Sequence, residues 1–189
     1  MLNSFIIMSK SIVDSQYIAV SGLRRSGSTL LFNLVRLSAQ ESYSNTNITE
    51  FNDFPEQKLL EAKRKASKDR RIECTIIHTH DIEKSVLLRF NLIFSCYRKP
   101  IEALVSAHRK FYLNKKNAIR FMEEYITHLQ YLLDEEELIT RFPYQALVNN
   151  LNEVIDNVYR KIKQKKPNQE TVNKIKTKLD SIKERNTMK

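Results

Sequence analysis

The sequence predicts an α/β fold of three layers, a small central parallel sheet flanked by helices, and three observations lead there. Apolar, β-rich runs alternate with amphipathic helical stretches, the pattern of parallel strands joined by crossover helices. The 189 residues suit one domain, and no internal repeat divides them. The only two glycines, Gly22 and Gly27, both stand where the first strand turns into the first helix. Average usage would give a chain of this length about thirteen.

Each element follows from local pattern. Residues 17–21 read as a short buried strand, and 29–37 set Leu30, Leu31, Leu34 and Leu37 at helical spacing. Residues 38–55 are polar and broken by Asn45, Asn47, Asn52, Asp53 and Pro55, which predicts a loop. A charged helix over 58–70 comes next, then β-rich runs over 74–80 and 91–98. Pro100 suits the first turn of the following helix, and 117–133 form another. Residues 138–144 read as a last strand that Pro143 ends or confines to an edge. Asn150 is placed to cap a helix running to 163. Beyond Pro167, Val172, Ile175, Leu179 and Ile182 form the stripe of a final helix. Parallel sheets bind ligands beyond the carboxyl ends of their strands. Those ends carry 21–29, 78–81, Arg98 and Tyr144, so these residues are expected on one edge.

Charge is uneven. The net charge is +10, but residues 160–189 hold 11 basic and 3 acidic side chains. The basicity therefore belongs to a helical C-terminal extension, from about 164, of a single domain spanning 1–189. Such a run is either a solvated helical face or an attractor for anionic partners. No aromatic residue follows Tyr159, so no base-stacking platform is offered and nucleic acid is not an expected partner. No apolar run reaches membrane-spanning length, and residues 2–8 lack a basic flank and a small-residue cleavage site. Cys74 and Cys96 fall in buried strands, which favours free thiols in a reducing, cytoplasmic setting.

The glycine corner carries the chemistry. Gly22 and Gly27, followed by Ser28 and Thr29, match the phosphate-loop spacing G-x-x-x-x-G-K-[ST], with Ser28 at the lysine's place. In ATP-dependent enzymes that lysine reaches the β- and γ-phosphates, so its loss argues against ordinary ATP chemistry. Positive charge stands instead at Arg24 and Arg25. A second cluster is Arg98, Pro100 and Ser106. A strand-ending guanidinium and a hydroxyl two helical turns on can grip one phosphate from two sides.

Together these segments resemble the PAPS-dependent sulfotransferases (PAPS is 3′-phosphoadenosine 5′-phosphosulfate), over roughly residues 17–162. In that family [KR]-S-G-[ST]-[ST] binds the 5′-phosphosulfate; here it is Arg25, Ser26, Gly27, Ser28 and Thr29. The arginine form is similar to the carbohydrate and tyrosylprotein branches. The family's R-x-P-x-x-x-x-x-S motif binds the 3′-phosphate and matches Arg98, Pro100 and Ser106. Tyr144-Gln145-Ala146-Leu147 resembles its Tyr-Glu-Asp-Leu segment, whose tyrosine lies near the adenine. His78-Thr79-His80 stands where cytosolic members carry Lys-Thr-His, with the histidine as base. There are departures. Cytosolic members add a C-terminal Arg-Lys-Gly over the 3′-phosphate, whereas this chain has no glycine after Gly27. Gln145 replaces a glutamate, and the chain is short where an acceptor pocket would be shaped.

The resemblance implies a P-loop fold and transfer of a sulfuryl group from PAPS to a hydroxyl or amine, releasing 3′,5′-adenosine bisphosphate. Arg25 would stabilise charge on the leaving phosphate, and N–H groups of residues 26–29 would hold it. Gly22, Arg98, Ser106 and Tyr144 complete the expected nucleotide site. His80 is the first choice of base, because an imidazole suits proton removal near neutrality. Glu50 is its rival, since arginine-type members use a glutamate in the loop after the first helix. No metal is expected, and His78, His80 and Asp81 do not read as a metal site. The acceptor stays open among carbohydrate, lipid, small alcohol or amine, and protein. Two other classes remain: a P-loop phosphotransferase, and a non-catalytic module that binds a nucleotide or polyanion.

Overall fold

The computed structural model describes residues 15–187, except 23, 53–54, 70, 81–87 and 136. At 49–52, 55–56 and 183–187 the description covers the backbone alone. The strands are β1 (Gln16–Ser21), β2 (Thr46–Asn52), β3 (Cys74–Thr79), β4 (Leu92–Tyr97) and β5 (Thr140–Pro143). The helices are α1 (Ser28–Gln40), α2 (Pro55–Lys68), α3 (Pro100–Phe111), α4 (Lys115–Asp134), α5 (Tyr144–Asn149), α6 (Leu151–Lys163) and α7 (Gln169–Thr187).

The strands form one parallel sheet in the order β2-β3-β1-β4-β5. The central strand β1 sets Ser21 beside Thr79 of β3 and Ser95 of β4. Successive side chains of a strand point to opposite faces, and the two faces are covered separately. Ile18, Val20, Ile76, Phe94 and Cys96 join Leu31, Leu34 and Val35 of α1, Ile155 and Val158 of α6, and Ile175 and Leu179 of α7. Ala19, Ile77 and Ile93 pack on the other face with Leu59 of α2 and Leu132 of α4. The three-layer α/β fold is thus observed. Pro100 opens α3, and Pro143 closes the edge strand β5, as local chemistry requires.

Two expectations change. The stretch 38–55 is not all loop: α1 runs to Gln40, and Thr46–Asn52 is strand β2. It is polar because it lies at the sheet edge, and its pairing partner, β3, is supplied from far along the chain. Its register shifts between Thr49 and Asn52, the irregularity expected of a poorly apolar edge. Asn150 does precede α6, but its side chain makes no capping hydrogen bond.

The basic C-terminal segment belongs to the core. Ile175 and Leu179 are fully buried, and α7 packs on α1 and α6. Part of its charge is spent internally. Lys174 and Lys178 reach the Glu41 carboxylate, at the end of α1, at 2.6 and 2.7 Å. Lys163 donates to the Ser42 carbonyl at 2.8 Å. Cys74 and Cys96 are both free and buried. No helix among the described residues is long and apolar enough to cross a membrane.

Burial works to raise the Glu41 carboxyl, but hydrogen bonds and charge from Lys174 and Lys178 prevail and hold it below its ordinary 4.5. A carboxylate lowered on folding stabilises above its unfolded value, and that contribution is lost as pH falls through the folded one. Glu41→Gln is therefore expected to cost about 1 kcal/mol at pH 7, discounted for the exposed lysines. The gap to wild type should narrow in urea melts as pH falls below the ordinary carboxyl value of 4.5.

Candidate functional site

The chain leaves β1 toward β2 and leaves β4 toward β5, so the connections diverge between the ends of β1 and β4. Parallel sheets offer their ligand crevice at such a divergence. The glycine corner follows β1, and Arg98 follows β4, on its two sides.

The corner is closely supported from below. A Cβ on Gly22 would lie 3.1 Å from Ser26 Oγ and Ser28 Cβ and 3.3 Å from the Cys96 carbonyl, so a side chain here would press its neighbours back by a few tenths of an ångström. Gly27 is required twice. Its φ is +102°, and a Cβ would meet the Tyr144 ring at 2.5 Å and Cys96 Sγ at 3.1 Å. The buried Cys96 thiol donates to the Ser26 carbonyl at 3.0 Å. Gly27 precedes α1, and its carbonyl accepts from the Leu30 and Leu31 N–H groups at 3.0 and 3.1 Å, so the N–H groups of Ser28 and Thr29 are the ones with no acceptor within the helix. Ser26 and Ser28 are buried, while Arg25 and Thr29 line an opening of about 210 Å³ together with Arg98, Ser106 and Tyr144.

The two motifs meet. Arg25 Nε donates to Ser106 Oγ at 3.1 Å across 81 residues of sequence. Arg25 holds a left-handed φ of 70°, a conformation that costs an L-residue roughly 1–2 kcal/mol. Arg98 lays its guanidinium over the Tyr144 ring, 3.5 Å from the centroid. Its side chain is only 15% exposed, and its nearest carboxylate contact is Nε to Glu102 Oε2 at 3.9 Å. Arg98 Nε has no hydrogen-bond partner among the described residues. A buried guanidinium left this way favours an incoming anion. Gln145 Nε2 donates to Glu102 Oε2 at 2.8 Å, so a glutamate at 145 would set two carboxylates together. That is a local physical reason for the glutamine.

The surroundings divide into two cavities. One, of about 680 Å³, is lined by Arg25, Arg98, Ser106, Arg109, Lys110 and Tyr144, with Ile101, Glu102 and Val105. The other, of about 500 Å³, has Arg24, His80, Phe111, Phe121, Tyr125 and Arg120 among its walls. His80 Nδ1 is bonded to the Gly22 carbonyl, so the ring is tied to the glycine corner. A carbonyl can only accept, which assigns the Nδ1 proton and leaves Nε2 as the acceptor nitrogen of the neutral ring.

The remaining candidates separate. His78 is buried, stacks on Phe32 at 4.8 Å, and meets the edge of His80 at 5.8 Å. Burial, then the charge of His80, pushes its pKa down to about 4. Glu50 lies inside β2, outermost in the sheet and separated from β1 by β3, rather than in a loop after α1. Asp81 lies outside the described residues. His108 is exposed and bonds the Leu113 carbonyl at 3.0 Å. No group of three metal-ligating side chains occurs among the described residues.

Three residues at the site escaped sequence reasoning. Tyr125, on α4, accepts from the Arg98 N–H at 2.9 Å and donates to the Arg98 carbonyl at 3.0 Å. Its hydroxyl clasps the backbone at the strand end, and burial raises its pKa to about 12. Within an amphipathic helix it reads as one more core aromatic. Cys96, read only as a buried thiol, carries the loop. His128 is buried with Nε2 unpartnered among the described residues, and burial, then the charge of His80, lowers it to about 3.

Tyr125→Phe keeps the ring and strips both Arg98 backbone groups of their partner. It is expected to cost about 1–3 kcal/mol in denaturant melts. His78 and His128 make the fold sensitive to acid, with a definite sign. Both have folded pKa values below the ordinary 6.5, so the stability they allow is complete above 6.5 and declines as pH falls toward about 4 and then about 3. Urea melts between pH 7 and 4 should show that decline, and His128→Asn should make it shallower. No known protein-family pattern matches the chain, and no curated protein matches it in sequence.

Proposed function

We propose that this protein is a sulfotransferase that moves a sulfuryl group from PAPS to a hydroxyl or amine acceptor, releasing 3′,5′-adenosine bisphosphate. One observation carries the reading. The glycine corner and the arginine–serine pair, far apart in sequence, touch through Arg25 Nε and Ser106 Oγ at 3.1 Å. They also face one opening shared with Arg98 and Tyr144. A doubly phosphorylated adenosine needs two cationic grips within one cleft, and the residues present fit it: fixed N–H groups at one end, Arg98 and Ser106 at the other.

The roles follow from position. The N–H groups of residues 26–29 hold the 5′-phosphate. Arg25 stabilises the charge that gathers on it as its bond to sulfur breaks. Arg98 and Ser106 hold the 3′-phosphate, with Tyr144 against the base. The apolar cavity beside His80, walled by Phe111, Phe121 and Tyr125, receives the acceptor. His80 Nε2 takes the acceptor's proton as its oxygen or nitrogen bonds to sulfur. His80 is preferred to Glu50 because it is tied to the glycine corner, whereas Glu50 stands on the sheet's outer strand. Two free cysteines fit a cytoplasmic location.

Binding and turnover test this separately. 3′,5′-Adenosine bisphosphate is expected to raise the melting temperature more than ADP does at equal concentration. Equal or absent shifts defeat the assignment. Arg98→Ala should weaken bisphosphate binding by about 1.5–3 kcal/mol, the value of a charged hydrogen bond. Arg25→Ala and His80→Ala should abolish sulfuryl transfer from labelled PAPS while binding stays measurable. Tight binding with no transfer to any acceptor class would mark a nucleotide-binding module instead.

A further inference from the structure

We propose that Arg109 and Lys110, in the last turn of α3, close over the nucleotide's second phosphate; the inference rests on the bisphosphate reading of this cleft. Ser106, Arg109 and Lys110 stand at i, i+3 and i+4, so one helix face presents all three. They line the 680 Å³ cavity with Arg25 and Arg98, giving four cationic side chains around one space. The single carboxylate among its walls, Glu102, already accepts a hydrogen bond from Gln145. Such an excess of positive charge suits a phosphate dianion better than a sugar hydroxyl or a neutral group.

Three lysines of the basic tail are committed elsewhere. The seen contacts of Lys163, Lys174 and Lys178 are with Ser42 and Glu41, at the C-terminal end of α1. The glycine corner is at the other end of that 13-residue helix. At 1.5 Å per residue the two ends are about 20 Å apart. A clamp drawn from α3 stands directly beside the motif serine in the same cavity and needs no glycine-containing C-terminal segment. Both residues are exposed, so replacing them leaves the core intact.

Calorimetric titration of the whole chain with 3′,5′-adenosine bisphosphate and with 5′-AMP tests this. The wild type should prefer the bisphosphate. In R109A/K110A that affinity should fall by about tenfold or more, the scale of a lost charge-assisted hydrogen bond, with AMP affinity little changed. K165A/K166A, in the turn before α7, should behave as wild type. If R109A/K110A weakens both ligands equally, or neither, the clamp is wrong. If K165A/K166A removes the preference, the tail is the clamp and the inference is overturned. If the wild type shows no preference, the bisphosphate reading itself falls, and the clamp with it.

Discussion

The turn after β1 rests on the end of β4, and the site exists because it rests that close. Cys96 supplies the support: its carbonyl lies under Gly22, its sulfur under Gly27, and its thiol holds the Ser26 carbonyl. A side chain at Gly27 would collide with the Tyr144 ring, and one at Gly22 would crowd the Cys96 carbonyl. Tyr144 presses on Gly27 from the other side and carries the Arg98 guanidinium on its ring. The glycine corner, the aromatic ring and the arginine are therefore stacked as one packed unit, with steric contact doing the positioning.

Arg98 is also held by its own backbone. The Tyr125 hydroxyl satisfies both its N–H and its carbonyl, which a strand end would otherwise leave without ladder partners. The main chain is thus fixed independently of the side chain, which lies over the Tyr144 ring. On the opposite wall, the left-handed Arg25 is tied to Ser106. Both motif arginines are oriented before any ligand arrives, which lowers the ordering cost of binding.

How much of this the sequence discloses depends on where the information is stored. β1, β3, β4 and β5, and the helices between them, are legible because apolar periodicity is a local property. So are Gly22, Gly27, Arg98 and Ser106, because loop spacing is fixed by backbone geometry. Strand β2 is not, since an edge strand with Asn47 and Asn52 owes its existence to pairing with β3. Misreading it as loop also put Glu50 in the wrong setting. Tyr125 and Cys96 were invisible for a related reason. Each acts through one contact with a distant segment, and neither bears a mark that separates it from ordinary core. Arg109 and Lys110 bear no local mark either, because only the fold shows which cavity that turn borders.

The closing helix α7 alters how the length of this domain should be understood. By composition, the last thirty residues look like a solvated appendage that could be trimmed without harm. Yet Ile175 and Leu179 fill the same core layer as Leu31 and Leu34 of α1, and α1 begins at the glycine corner. A shortened version ending near residue 164 would bare a greasy stripe along the one helix that presents the loop. The minimal unit able to hold the glycine corner in place therefore reaches well beyond the last recognisable motif.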